Sequence, residues 1–288
     1  MLFATTTAAA RIEHAEADTA REFGLRARAR GADVLIFEIG GTAAVFGGPG
    51  QPFNKLAGLG FAGPVSAESL AALEAAYDAL GAELRVEQAT LADPSVATLL
   101  TRRGYELVGY ENVLGLALHA ETRQALAAAR DEDRSRGVTV TRATAEETRT
   151  WIDTVTEGFL HPDTFDGPPP TESFSREVIE EVFVGFSATK GTTLYLAHHN
   201  GELAGGGSLR TSSALAQLSG ASTLPSHRRR GVQSALLRAR LIDAAEQGCD
   251  LAIVTTEPAS KSQHNVQRAG FALLYSRAIL IRPAREGG

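Results

Sequence analysis

The segment "LPSHRRRGVQSALLRARL", Leu224 to Leu241, sets three consecutive arginines, Arg228, Arg229 and Arg230, before Gly231 and an apolar helical pattern. A helix start exposes unpaired backbone N–H groups and the positive end of the helix dipole, so it attracts anions. A glycine there lets the backbone approach an oxyanion, and arginines supply fork-shaped donors suited to phosphate. The segment therefore has the chemistry of a pyrophosphate site. Its spacing is neither G-x-x-x-x-G-K-[ST] nor G-x-G-x-x-G, which disfavours a nucleoside-triphosphate loop and a dinucleotide turn.

Other residues with chemistry are sparse. Glu257 ends the apolar strand "DLAIVTT", and open α/β sheets hold ligands at such strand ends; the competing reading is an exposed loop carboxylate. Glu157 and His161 lie at a helix–loop junction, and His161-Pro162 reads equally as an ordinary loop start. His198 and His199 flank an Asn200-Gly201 turn and are expected to be solvated. No His, Asp or Glu spacing suggests a metal site. The single cysteine, Cys249, rules out an intramolecular disulfide and a Cys-based cluster. Gly205-Gly206-Gly207, inside a strand, marks a bulge or a close approach.

These residues sit in a chain of 288 residues with 28 Lys+Arg and 34 Asp+Glu, a formal net charge of -6. An acidic balance argues against general nucleic-acid binding, so the positive charge of the arginine segment is a local feature. The N-terminus lacks the cationic and apolar regions of a signal peptide, and no apolar run approaches the roughly 20 residues of a membrane helix. The expectation is a cytoplasmic protein without nucleic-acid or membrane partners, as a monomer or homodimer.

The elements that must position the site follow from periodicity and punctuation. Residues 12–30 read as a helix stopped by Gly31, followed by strands "DVLIFEI" and "GTAAVFG". "LAGLGFAG" reads as a strand; Ser66 caps the helix "AESLAALEAAYDAL", stopped by Gly81. "ELRVEQA" is a strand, Asp93-Pro94 opens a helix, and "YELVGYENVLGLAL" is a long strand. Residues 121–137 form a polar linking helix. Beyond it the order is β-α-α-β-β-β-α-β-α-β, a mixed sheet with helices on its faces. The fold class is α/β with two domains: 1–120, the linker helix 121–137, and 138–288.

The halves repeat. "RRGYELVGYENVL" parallels "RAGFALLYSRAIL", with Gly81 23 residues before Gly104 and Gly248 22 before Gly270. Upstream they differ: 17 residues separate Pro64 from Gly81, against 23 from Pro225 to Gly248. The deficit falls where the second half carries its arginines.

The arginine segment resembles the acyl-CoA loop of the GNAT acyltransferase superfamily, [Q/R]-x-x-G-x-[G/A] entering a helix after a strand. Here it reads Arg228-Arg229-Arg230-Gly231-Val232-Gln233, with Gln233 departing at the last position. "STLP" before it, "SQHNVQRAGF" after it and the element order add to the likeness. It covers residues 138–282 well and 33–118 as a degraded copy lacking the loop, which should not hold CoA and would buttress the active domain or shape its acceptor cleft.

The resemblance implies an acetyl-CoA-dependent N-acetyltransferase acting on a primary amine of a small molecule. It implies that Ser222, Thr223, Leu224, Arg228, Arg229, Arg230, Gly231, Val232, Gln233, Ser234 and Asn265 hold acetyl-CoA, the donor co-substrate. A backbone N–H near Thr223 or Leu224 would polarise the thioester. Glu157, Phe159 and His161 would border the acceptor, and "TFDGPPP", with Phe165, and "GPGQPF" would line its cleft or be inert connectors. Many members carry a general-acid tyrosine where Val266 stands here. Ser262 and Tyr275 are the nearest substitutes, against a helix cap for Ser262 and a core strand residue for Tyr275; Glu257 is the candidate base. The alternative is a non-catalytic acyl-CoA-binding or regulatory module, which the absent tyrosine permits.

Overall fold

A computed structural model describes residues 3–163 and 174–284. In chain order the elements are α1 (Thr6–Ala29), β1 (Leu35–Ile39), β2 (Thr42–Phe46), β3 (Lys55–Ala57), α2 (Ala67–Ala79), β4 (Leu84–Ala89), α3 (Pro94–Arg102) and β5 (Glu106–Ala117). There follow α4 (Ala120–Ser135), β6 (Val138–Arg142), α5 (Thr148–Leu160), α6 (Arg176–Ser187), β7 (Thr192–His199), β8 (Glu202–Ser212) and β9 (Leu215–Thr223). A short 3-10 turn, Pro225–His227, leads to α7 (Val232–Glu246), β10 (Leu251–Thr256), α8 (Lys261–Arg268) and β11 (Ala272–Arg282).

The chain forms two compact units, Phe3–Val113 with Leu274 onward, and Leu114–Leu273. The first holds β1-β2-β3-β4-β11 and the first part of β5 in that order; the second holds the end of β5, then β10-β9-β8-β7-β6. Each is a mixed sheet flanked by helices. The second domain expected over 138–288 includes β11, but β11 from Leu274 belongs to the first unit. There it pairs antiparallel with β4, from Arg277↔Ala89 to Arg282↔Leu84. The end of β5 goes the other way: the Leu118 N–H donates to the Asp250 carbonyl at 2.8 Å, at the start of β10. Each half of the sequence thus lends its last strand, or the end of it, to the unit built by the other half. Helix α4, read as a linker, packs on α7, with the Arg238 Nε donating to Asp133 at 2.7 Å.

The repeat is visible in the helix ends. Gly81, Gly104, Gly248 and Gly270 all have positive φ. After each, the next residue's N–H reaches back to a helix carbonyl five residues before it, as in Tyr105 to Leu100 at 3.2 Å and Phe271 to Val266 at 3.1 Å. This closes the helix and turns the chain into the next strand. Helix α1 starts earlier than expected, because Thr5 caps it by accepting the Ala8 N–H at 3.1 Å. The strand expected over "LAGLGFAG" keeps only its start: Gly58, Gly60 and Gly63 take left-handed conformations and end it.

Leu56, Leu70, Leu73, Tyr77, Leu84 and Leu100 centre the core of the first unit. In the second, α7 packs Val232, Leu236 and Leu241 on Tyr195, Leu209, Leu218 and Val254, while Trp151, Val155 and Phe183 form a core with Leu194 and Leu196.

Candidate functional site

The site begins where β9 and β10 part. They pair in parallel for three residues, Leu251↔Leu215 to Ile253↔Gln217, and no pairing continues beyond. The far end of β9, Leu218 to Thr223, therefore keeps one backbone edge open. At the two strand ends the Thr223 and Thr256 hydroxyls are buried without a hydrogen-bond partner. Buried polar groups are normally satisfied, so such orphans mark a place where a ligand or water belongs.

Which backbone groups face that edge is set by the β8–β9 register. The Leu224 N–H donates to the Ala204 carbonyl at 2.9 Å, so this pair is hydrogen-bonded. Pairs alternate along an antiparallel ladder, so Thr223, opposite Gly205, turns its N–H and C=O away from β8. Of the two N–H groups expected to polarise a thioester, that of Leu224 is already used. That of Thr223 faces the opened edge.

From Thr223 the chain passes through the 3-10 turn into the arginines. Arg229 has φ +60° and Gly231 φ +86°. No side chain caps α7, so the N–H groups of Val232, Gln233 and Ser234 have no intrahelical partner. A Cβ on Gly231 would meet no protein atom within 4 Å; the glycine is needed for its backbone angle, and the space beside it is open. Arg229 and Arg230 are exposed, and Val232 is anchored in the core. Arg228 differs: its guanidinium donates to the carbonyl of His161. It links the turn to α5.

Helix α5 brings the expected acceptor residues to the same place. Gly158 packs on Ser222, whose hydroxyl donates to the Val155 carbonyl at 3.4 Å. One residue either side stand Glu157 and Phe159. Phe159 is 47% exposed and meets Phe183 edge-on at 5.2 Å. The Glu157 carboxylate accepts from Arg176 at 2.7 Å, which holds it below the usual carboxylate range, and lies 3.1 Å from His161 Nδ1. The loop "TFDGPPP", with Phe165, lies outside the described residues.

Helix α8 borders β10. Its N-cap is Ser260, which accepts the Gln263 N–H at 3.2 Å; Ser262 is therefore not the cap and is exposed. Asn265 is half-buried, and Val266 is packed in the core. Glu257 is half-buried just past the end of β10. Tyr275 is not in this site. It lies in the first unit, 5% exposed, and its hydroxyl donates to Glu13 at 2.7 Å. Burial and the Glu13 carboxylate push its pKa far up, and it is packed as a core strand residue of the first unit.

Three further groups, none expected from the sequence, lie in this region. His227, inside the arginine segment, is 7% exposed, with Nδ1 unpartnered and Nε2 3.8 Å from the Glu202 carboxylate. Trp151 Nε1 donates to the Gly207 carbonyl at 3.0 Å. Arg240 is buried behind β8 and β9. Its signal was present, since it shares a helix face with Leu236, Leu237 and Ala244. The glycines at 205–207 serve the protein's own packing: a Cβ there would meet the Ser222 carbonyl, Val155 or the Arg240 guanidinium.

The first unit handles the equivalent region differently. Helix α2 is capped by Ser66, which accepts the Ser69 N–H at 3.1 Å, and Glu68 lies in its first turn. Those features neutralise a helix start as an anion site. Inside this unit Glu13, Glu16, Glu87 and Glu111 surround Lys55 and Arg277. Among the described residues no group of three or more His, Cys, Asp or Glu side chains is arranged to hold a metal ion, and no helix is long and apolar enough to cross a membrane.

The second unit thus offers an uncapped helix start with two exposed arginines, a strand edge with free hydrogen-bonding groups, and orphaned hydroxyls. These fit a ligand with an anionic head and an amide-bearing arm. Residues 159–271 match the acetyltransferase (GNAT) family. A GCN5-related N-acetyltransferase from Kribbella flavida has the same fold over 94% of this chain and 96% of its own, at TM-score 0.60 and 17% identity. A tandem GNAT protein from the clavulanic acid biosynthesis pathway aligns over 85% of this chain and 74% of its own, at TM-score 0.52 and 15% identity. A GCN5-related N-acetyltransferase from Sphaerobacter thermophilus aligns over 72% and 61%, at TM-score 0.50 and 15% identity. No curated protein matches the chain significantly.

Proposed function

We propose, from the match of residues 159–271 to the acetyltransferase (GNAT) family, that the chain transfers an acetyl group from acetyl-CoA to the primary amine of a small molecule. The observation that carries this reading is the parting of β9 and β10 beside an uncapped α7. In it, the N–H groups of Val232, Gln233 and Ser234 receive the pyrophosphate, with Arg229 and Arg230 adding charge. The pantetheine arm takes the place of β10 as hydrogen-bond partner of the open edge of β9, joined by Asn265.

When bound, acetyl-CoA supplies an activated thioester. The protein holds the amine against it and stabilises the charge that gathers on the thioester oxygen, the role of the Thr223 N–H. The amine nitrogen bonds to the carbonyl carbon, the C–S bond breaks, the nitrogen loses a proton and the sulfur gains one. Glu257 and Ser262 are the candidates for those two proton transfers. Glu157, Phe159 and His161 border the acceptor.

A second reading, acyl-CoA binding without turnover, is favoured by one observation. Val266 is in the core and Tyr275 is committed to Glu13, so neither position supplies a phenol to the sulfur.

Thermal unfolding with acetyl-CoA tests the donor. A ligand specific to the native state stabilises by about 2.7 kcal/mol at 100 times its Kd. A shift in wild type that is blunted in Arg230→Ala supports the site; no shift at millimolar acetyl-CoA removes it. Thiol release across a panel of primary amines then separates turnover from binding alone.

A further inference from the structure

The buried charge behind the site is Arg240, 3% exposed on α7. Among the described residues no carboxylate lies within ion-pair distance of it. Its guanidinium donates instead to carbonyl oxygens: Nε to Leu236 at 3.0 Å, and Nη1 to Ser208 at 3.0 Å and Ser219 at 3.4 Å. Burial pushes its pKa down to about 10, so it keeps its charge at neutral pH. Burying a cation against carbonyls alone is costly, and such a group needs a reason.

The Ser208 and Ser219 carbonyls it holds border a β-bulge on one side. Ser208 pairs with Ser219, but Gly206 pairs with Ser222, so Gly207 alone opposes Gly220 and Ala221. Gly220 has φ +55°. The Ser208 hydroxyl also donates to the Ser219 carbonyl at 2.9 Å. Gly207 leaves room for the guanidinium, since a Cβ there would lie 3.2 Å from its central carbon.

The bulge moves the register by one residue, and a one-residue shift exchanges the two edges of a strand for every residue beyond it. With the earlier register continued, Ala204 would face Thr223, and the Thr223 N–H would be the one spent on the Ala204 carbonyl. With the bulge, Leu224 fills that place and the Thr223 N–H faces the opened edge.

We infer that Arg240 is the positioning residue for acyl transfer: by holding the bulge through the Ser208 and Ser219 carbonyls, it keeps the Thr223 N–H aimed at the thioester oxygen. This rests on the acetyl-donor reading above. Arg240 touches no reacting atom and acts through the backbone of β9.

The infrared carbonyl band of bound [1-13C]acetyl-CoA tests it without knowledge of the amine. Wild type should lower the band frequency relative to free acetyl-CoA. Arg240→Met should lose most of that downshift while its Kd for acetyl-CoA stays within threefold, because the phosphate end is intact; Arg240→Lys should restore at least half. If Arg240→Met fails to fold, Gly207→Ala displaces the guanidinium by its Cβ and should give the same loss. An unchanged downshift in a folded variant overturns the inference, as does loss of binding and downshift together, which would make Arg240 a packing residue. Absence of binding by wild type is read separately from the isotherm. It removes the acetyl-donor reading, and the inference with it.

Discussion

Gly158 and Ser222 touch without a side chain between them: a Cβ on the glycine would lie 2.4 Å from both Cβ and Oγ of the serine. Helix α5 can therefore lie directly on the end of β9, which puts Glu157, Phe159 and His161 beside the opened strand edge. Gly158→Ala must push the two elements apart. Alanine favours a helix over glycine by roughly 1 kcal/mol, but overpacking of this kind costs about 1–3 kcal/mol. The expected result is a net loss in thermal stability and a weaker acetyl-CoA-induced shift. Gly158→Ala with Ser222→Gly removes the clash and should recover both; two independent, additive losses would refute the contact as the cause.

Gly231 makes a different demand. Its φ of +86° suits glycine, while the space beside it is open. Gly231→Ala therefore carries backbone strain of about 1–2 kcal/mol and adds a methyl where an anion would approach. Titration with acetyl-CoA should show a Kd raised at least tenfold, with a far smaller change for Ser234→Ala, which keeps its backbone N–H. Equal effects of the two substitutions would place the anion elsewhere.

The arginine turn was legible because three charges, a glycine and an apolar helix period are all local features. So were the caps at Ser66 and Asp93, which bond within three residues. The bulge was not: Gly220 is visible in the sequence, but its effect depends on where β8 places Gly207. The choice between the two readings of Tyr275, candidate acid or core strand residue, was not legible for a related reason. The repeat implied that each half keeps its own last strand, whereas β11 pairs with β4 and carries Tyr275 to Glu13, 262 positions away. Nothing local distinguishes a strand that stays from one that crosses over.

That crossing strand also brings Arg277 into the first unit. It is fully buried, with Nε 2.7 Å from Glu13 and Nη1 3.3 Å from Glu111 and 3.5 Å from Glu87. Burial works against its charge, but the surrounding carboxylates outweigh it and raise its pKa. Arg277→Met leaves those carboxylates with Lys55 as their remaining buried cation. Breaking a buried pair in this way costs about 3–5 kcal/mol. Denaturant unfolding should show the loss, and adding Glu13→Gln should return part of it. A loss below 1 kcal/mol would mean that water reaches the cluster.

Within the same cluster four carboxylates face two cations, and Glu111 bears the excess. Burial first, and then the neighbouring Glu87, push its pKa up to about 7. The sign follows from linkage. A carboxyl whose pKa is higher folded than unfolded, here about 7 against 4.5, contributes stability that is fully present below pH 4.5 and is lost as the pH rises through 7. Wild type should therefore lose stability across that window, by on the order of 3 kcal/mol from this group. Glu111→Gln mimics the protonated form and should not lose that part. The stability difference between the two should open from pH 4.5, reach its full size near pH 7 and stay flat above. A difference independent of pH from 4.5 to 8 would show that Glu111 is already ionised beside Arg277 throughout, with its charge balanced by that arginine.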